Sequence, residues 1–124
     1  MEKIKVIIAD DSDFVRDGMK IILDVDDGFV VIGCAANGRE TCEIAEKQAP
    51  DVFLMDIQMP VMDGYAATRA IRALDGEQAH VPIIAMTANA FDEDKKAALA
   101  SGMNGHLTKP ITIEKLLETV QEVF

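Results

Sequence analysis

Ile4-Lys5-Val6-Ile7-Ile8-Ala9-Asp10-Asp11 is an almost unbroken apolar run that stops at two acids. Only Lys5 interrupts it, so it reads as a strand covered on both faces; a half-exposed strand would alternate. Further apolar runs end in the same manner, 52–55 before Asp56, 83–86 before Thr87, and 105–107 shortly before Lys109. If these are parallel strands of one sheet, their carboxyl ends lie side by side. Three carboxylates, a hydroxyl and an ammonium then converge in one crevice. Such a cluster suits a divalent cation and phosphoryl chemistry.

Between these runs the pattern changes to helical spacing. Strands are expected near 4–9, 29–35, 52–55, 82–86 and 105–107, and helices near 13–25, 38–48, 64–74, 91–101 and 112–123. This is a (βα)5 alternation, and crossovers of this length favour right-handed parallel connections. A three-layer α/β sandwich follows, with residues 1–124 as one domain. Pro50 stops the second helix, Asp63-Gly64 turns the chain into the third, and Gly102 and Gly105 bracket the loop before the last strand. In the last helix Ile113, Leu116, Leu117 and Val120 follow the i, i+3, i+4, i+7 template, with Thr112 placed to cap it.

The chain has 124 residues, 49% of them apolar, as expected for one globular domain. Its 22 acids against 12 bases give a net charge of −10, which repels DNA, RNA and anionic lipid. Direct nucleic-acid binding is therefore not expected. No apolar run reaches the ~20 residues that span a bilayer, and the charged start Met1-Glu2-Lys3 lacks the apolar core of a signal peptide. A cytoplasmic location is the expectation. Cys34 and Cys42 lack paired spacing and read as reduced, partly buried thiols.

Each member of the cluster has an ordinary explanation when taken alone. An Asp at a strand end is commonly a helix cap, Lys109 could be a solvated lysine, and Thr87 a strand-end residue. Adjacent Asp10 and Asp11, however, repel one another unless a cation lies nearby. A hard ion such as Mg²⁺ would take oxygen ligands from several carboxylates, and Asp56 could complete the set. A carboxylate attacking phosphorus gives an acyl phosphate whose charge needs stabilising. Mg²⁺, Lys109 and the Thr87 hydroxyl could each take one phosphoryl oxygen. At four strand ends together, these residues point to one site.

Over essentially its whole length the chain resembles a response-regulator receiver domain of two-component signalling. The matching segments are Asp10-Asp11, the run Met55-Asp56-Ile57-Gln58-Met59-Pro60-Val61-Met62-Asp63-Gly64, Thr87-Ala88 and Lys109-Pro110. The resemblance implies a flavodoxin-like fold with strand order 2-1-3-4-5. It makes Asp56 the phosphoacceptor, with Asp11, Asp56 and the Gln58 carbonyl as Mg²⁺ ligands and Asp10 acting mainly through metal-bound water. Thr87 becomes the switch hydroxyl, Lys109 the phosphoryl partner, and the main chain of Ile57 and Ala88 further phosphoryl contacts. The Lys109-Pro110 bond would be cis. The implied donor is a sensor histidine kinase or a histidine phosphotransfer protein. The implied output is a conformational change controlling a partner, a phosphorylation-dependent dimer or a fused module.

Two departures from the family pattern stand out. His106 occupies a position that is often Tyr or Phe, so an imidazole would replace the aromatic ring that moves behind Thr87; equally, it reads as a strand histidine with no switching duty. The stretch from Val15 to Glu40 resembles receivers of helix-turn-helix transcription factors, whereas that from Ala67 to Ile111 resembles receivers of hybrid kinases. Gln58 and Asn89 are placed to orient the water that hydrolyses the phosphoryl group. On the first helix, Val15, Met19 and Ile22 form a core stripe, and Phe14, Gly18, Ile21 and Val25 a second one beside it. Phe14, Gly18, Pro110 and Ile111 are the candidate docking collar for the phosphodonor.

An enzyme reading competes with this one. Asp11-Ser12-Asp13 has the Asp-x-Asp spacing of haloacid-dehalogenase-like phosphatases, with Asp11 as nucleophile and Asp13 as general acid. Against it, Phe14 stands where small turn residues usually sit, and the chain offers no cap to enclose a substrate. A flavin-binding reading fails on charge, because the first loop presents Asp10, Asp11 and Asp13 to an anion. A signalling switch that is not an enzyme is the expected function.

Overall fold

The computed structural model describes residues 3–88, 92–109 and 111–123. The elements run β1 (Ile4–Ala9), α1 (Asp13–Val25), β2 (Phe29–Ala35), α2 (Gly38–Lys47), β3 (Val52–Asp56), α3 (Gly64–Arg72), a 3-10 helix (Glu77–His80), β4 (Ile83–Thr87), α4 (Asp92–Ser101), β5 (Gly105–Thr108) and α5 (Ile113–Val123). The five strands form a parallel sheet in the order β2-β1-β3-β4-β5. The expected (βα)5 sandwich and the order implied by the resemblance are both found.

The continuous apolar runs are explained by two cores, one on each face of the sheet. Ile7, Ala9, Phe53, Met55, Ile83 and Ala85 pack against Ala45 of α2, Ala67 and Ile71 of α3 and Ala98 of α4. Their neighbours Val6, Ile8, Leu54, Ile84 and Met86 point the other way, against Met19 and Leu23 of α1 and Leu116 and Val120 of α5. Successive strand residues alternate between faces, so both faces must be apolar when helices cover both.

Boundaries differ from expectation where backbone hydrogen bonding decides them. Pro82 cannot donate to the ladder, and β4 begins at Ile83 and runs through Thr87. The third helix stops at Arg72, two residues early, and the 3-10 helix at Glu77–His80 was not anticipated. The Arg72 guanidinium holds that region, donating to the carbonyls of Ala79, Val81 and Gly102. Thr112 caps α5 as expected, accepting from Lys115 N–H at 3.3 Å. On α1 the fully buried residue is Leu23, not Ile22, while Phe14, Ile21 and Val25 face solvent.

Two glycines bring the β3–α3 loop into place. A Cβ on Gly64 would lie 2.4 Å from the Asp56 carbonyl oxygen, and one on Gly38 would lie 2.2 Å from that of Met62. Only glycine permits those approaches. Between them Val61 has φ of 69°, a left-handed conformation that a β-branched residue tolerates poorly. Because Val61 is 73% exposed, it gains little packing in return. Val61→Gly is expected to stabilise the protein by about 1 kcal/mol, measured as a higher urea midpoint with an unchanged slope.

Candidate functional site

Strand register delivers the site. Ala9 pairs with Met55 and Asp56 with Met86, while Thr87 pairs with Thr108. Asp10 and Asp56 therefore leave adjacent strands at the same level, and Lys109 follows β5 on the far side of Thr87. The sheet order reverses between β1 and β3, where the crossovers diverge and leave a crevice. The acidic residues flank that point.

Asp10 is fully buried and Asp56 is 7% exposed, whereas Asp11 is exposed. One oxygen from each of the three carboxylates lies within 4.8 Å of the others. Lys109 Nζ stands between the two buried acids, 2.8 Å from Asp10 Oδ2 and 3.5 Å from Asp56 Oδ2. The remaining oxygens accept main-chain donors: Asp10 Oδ1 from Ser12 N–H at 2.9 Å, and Asp56 Oδ1 from Gln58 N–H at 3.3 Å. Arg16 reaches over the outside, donating to the Asp10 carbonyl and pairing with Asp13. The crevice has a volume of 490 Å³, and Ile57, Gln58, Thr87, Ala88 and Asp94 complete its lining.

The charge balance is uneven. Three clustered carboxylates share one ammonium, leaving an excess of negative charge that a divalent cation would offset, and Asp94 adds a fourth acid to the lining. All the donors are oxygens, with some directed by neighbouring N–H groups, which suits a hard ion that retains waters. The Asp56 pKa is raised to about 6, pushed up by burial and by the Asp10 charge against the opposing pull of Lys109 and the Gln58 N–H. Burial disfavours the Lys109 ammonium, but the Asp10 hydrogen bond and the two carboxylate charges outweigh it and raise its pKa. Lys109 is thus held as a cation, while Asp56 keeps its proton to a higher pH than an ordinary carboxylate.

The other expected site residues divide between positions. Ile57 lines the crevice, but its N–H donates to the Met86 carbonyl at 3.3 Å, a long bond with which an incoming oxygen would compete. His106 is partly buried on β5 opposite Ala85 and shares a small cavity with Lys95, Ala98 and Leu99 of α4. Burial, with Lys95 beside it, lowers its pKa. Phe14 is 87% exposed, and with Gly18, Ala88, Lys109 and Ile111 it lines an apolar groove of 420 Å³ next to the crevice. Asn89, Pro110 and the bond preceding Pro110 lie outside the described residues. Asp94 was missed: Asp92-Glu93-Asp94 reads in sequence as a solvated first helical turn, which acids favour anyway.

Comparison with known proteins gives one consistent result. Residues 6–121 match the family model described as the response regulator receiver domain. The chemotaxis protein CheY of Halobacterium salinarum is 34% identical over 119 residues, covering 96% of this chain and 95% of that protein. Hybrid signal transduction histidine kinase B of Dictyostelium discoideum is 40% identical over 126 aligned residues, covering 94% of this chain but only 6% of the kinase. Among solved structures, the receiver domain of sensor histidine kinase PA1611 from Pseudomonas aeruginosa PAO1 superposes with a TM-score of 0.85 at 36% identity, covering 97% of this chain and 96% of that one. That structure has a magnesium ion coordinated in its active site cleft.

The raised Asp56 pKa has a consequence for stability. Its folded value, about 6, exceeds the unfolded value near 3.9, so ionised Asp56 destabilises the fold fully above pH ~6, and the cost fades as pH falls towards ~4. Without divalent cations, Asp56→Asn is expected to stabilise the protein by about 1–2 kcal/mol near pH 8 and by less than half as much near pH 4.5. Urea denaturation of both proteins at the two pH values measures this; a gain independent of pH would contradict it.

Proposed function

The chain belongs to the response regulator receiver domain family, and on that premise we propose that it is a signalling switch set by phosphorylation of Asp56. The observation that carries the reading is Lys109 Nζ held between buried Asp10 and Asp56, beside a third carboxylate from Asp11. Asp10, Asp11, Asp56 and the Gln58 carbonyl are the proposed Mg²⁺ residues, and a bound Mg²⁺ would supply positive charge to the transferring phosphoryl group. The phosphodonor is a sensor histidine kinase or a histidine phosphotransfer protein. A cytoplasmic location goes with such a donor.

In transfer, an Asp56 carboxylate oxygen attacks phosphorus while the donor's P–N bond breaks and its electron pair returns to the imidazole nitrogen. Asp56 must be ionised to attack, and Lys109 is already positioned to follow one phosphoryl oxygen. The Thr87 hydroxyl donates to another, and the amides of Ile57 and Ala88 supply main-chain contacts. Movement of Lys109 away from Asp10, and of Thr87 towards the phosphoryl group, would bias a two-state equilibrium read on the face built from α4, β5 and α5, with His106 between the crevice and that face. Gln58 and Asn89 would orient the water that returns the switch to its ground state. Residues 1–124 act as one receiver unit, and its output is a partner, a dimer or a fused module.

The phosphatase alternative is not favoured, because Asp13, its general acid, is paired with Arg16 and does not line the crevice. For donor docking, the exposed ring of Phe14 and the open space beside Gly18 support a collar of Phe14, Gly18, Pro110 and Ile111. A helix from the donor would lay an apolar face there and bring its phosphohistidine over Asp56.

With Mg²⁺ and acetyl phosphate, intact-protein mass spectrometry should find one added phosphoryl group, absent in Asp56→Asn; undiminished labelling of that variant would refute the assignment. Lys109→Ala should bind Mg²⁺ nearly as well, followed by emission of Tyr65, the only tyrosine in a chain without tryptophan, while responding weakly to phosphorylation. Phe14→Ala should slow transfer from the cognate histidine protein roughly tenfold, as expected for loss of one apolar anchor, yet leave acetyl phosphate labelling unchanged.

A further inference from the structure

Asp56 and Lys109 line the crevice above the buried Asp10, and part of its lining comes from the first turn of α4. There Asp94, partly buried, faces the same space as Asp11, Asp56, Gln58, Thr87 and Lys109. It also lines the adjoining groove with Asp63 and Tyr65. The Tyr65 hydroxyl approaches the Asp94 carbonyl at 3.5 Å and links this turn to α3. Among the described residues the Asp94 carboxylate enters no salt bridge. It adds a negative, acceptor-only group to the lining of the site, where the crevice meets the adjoining groove.

Resting on the reading of Asp56 as phosphoacceptor, we propose that Asp94 selects the class of phosphodonor, favouring leaving groups that carry N–H hydrogens over leaving carboxylates. In-line displacement places the departing atom on the side of phosphorus opposite the Asp56 oxygen, towards the open side of the crevice. With phosphoramidate, whose nitrogen bears three hydrogens in its zwitterionic form, the Asp56 O–P bond forms as the P–N bond breaks. Nitrogen keeps the electron pair and leaves as ammonia, and its hydrogens can point at Asp94. A protonated phosphoimidazole likewise leaves as neutral imidazole, the departing nitrogen keeping the pair, with its one N–H on the ring nitrogen remote from phosphorus. With acetyl phosphate the O–P bond breaks instead, oxygen keeps the pair, and acetate departs. Its negative charge grows beside that of Asp94, and it offers no hydrogen to accept. The same side chain therefore opposes one donor class and assists the other.

The test measures labelling of Asp56 by intact-protein mass spectrometry, with Mg²⁺ and either acetyl phosphate or phosphoramidate as the only donor. In Asp94→Asn the ratio of the acetyl phosphate rate to the phosphoramidate rate should rise about three- to tenfold, the effect of one charge in a partly solvated cleft, and further in Asp94→Lys. An unchanged or falling ratio in both variants, including equal loss with both donors, would overturn the proposal and leave Asp94 a structural role. If neither donor labels Asp56 in the unaltered chain, the phosphoacceptor reading itself fails and the inference fails with it.

Discussion

The ammonium of Lys109, between the carboxylates of Asp10 and Asp56, is the interaction on which the functional end of this molecule depends. It joins residues 99 positions apart in sequence and connects the loop after β5 to the ends of β1 and β3. Two acids buried together would otherwise repel one another across a medium that screens them poorly. One cation lowers that repulsion without cancelling it. The site is consequently stable enough to form and still carries excess negative charge.

That incomplete compensation is what makes the crevice chemically useful. Full neutralisation by protein groups would leave no driving force for a divalent ion. Without Lys109, two buried carboxylates would face each other unpaired, and a proton or a divalent ion would have to relieve them. The raised pKa of Asp56 reflects this tension: burial and Asp10 act in one direction, Lys109 and the Gln58 amide in the other. The proposed switch rests on the same balance, because a phosphoryl group on Asp56 would redirect Lys109 and leave Asp10 to be satisfied in another way.

The surrounding scaffold is rigid where the site needs it and open where a partner would approach. Two covered sheet faces fix the strand ends, and Gly38 and Gly64 allow the β3–α3 loop to close against the neighbouring backbone. The left-handed Val61 lies within this loop, so the local conformation is maintained against a backbone preference. On α1, by contrast, Phe14, Ile21 and Val25 remain exposed although the core on that face is complete. An apolar surface beside a charged crevice suits a helical partner, and no helix among the described residues is long and apolar enough to cross a membrane.

Much of this was legible in sequence because it depends on local patterns. The apolar runs at 4–9, 52–55 and 83–86 declared covered strands, and the polar residue closing each run put Asp10, Asp11, Asp56 and Thr87 at strand ends. The α5 stripe, with Thr112 before it, declared its own buried face. Strand order was not local information: it followed from resemblance to a family, since pairing joins residues distant in the chain. How far the second α1 stripe, with Ile21 and Val25, would be covered was not local information either, because periodicity reports which residues share a face and not how much of it a neighbour covers. Asp94 and the 3-10 helix escaped for the same reason. An acid in a first helical turn has a sufficient local explanation, and only the packing of α4 over the sheet turned that acid towards Asp56 and Lys109.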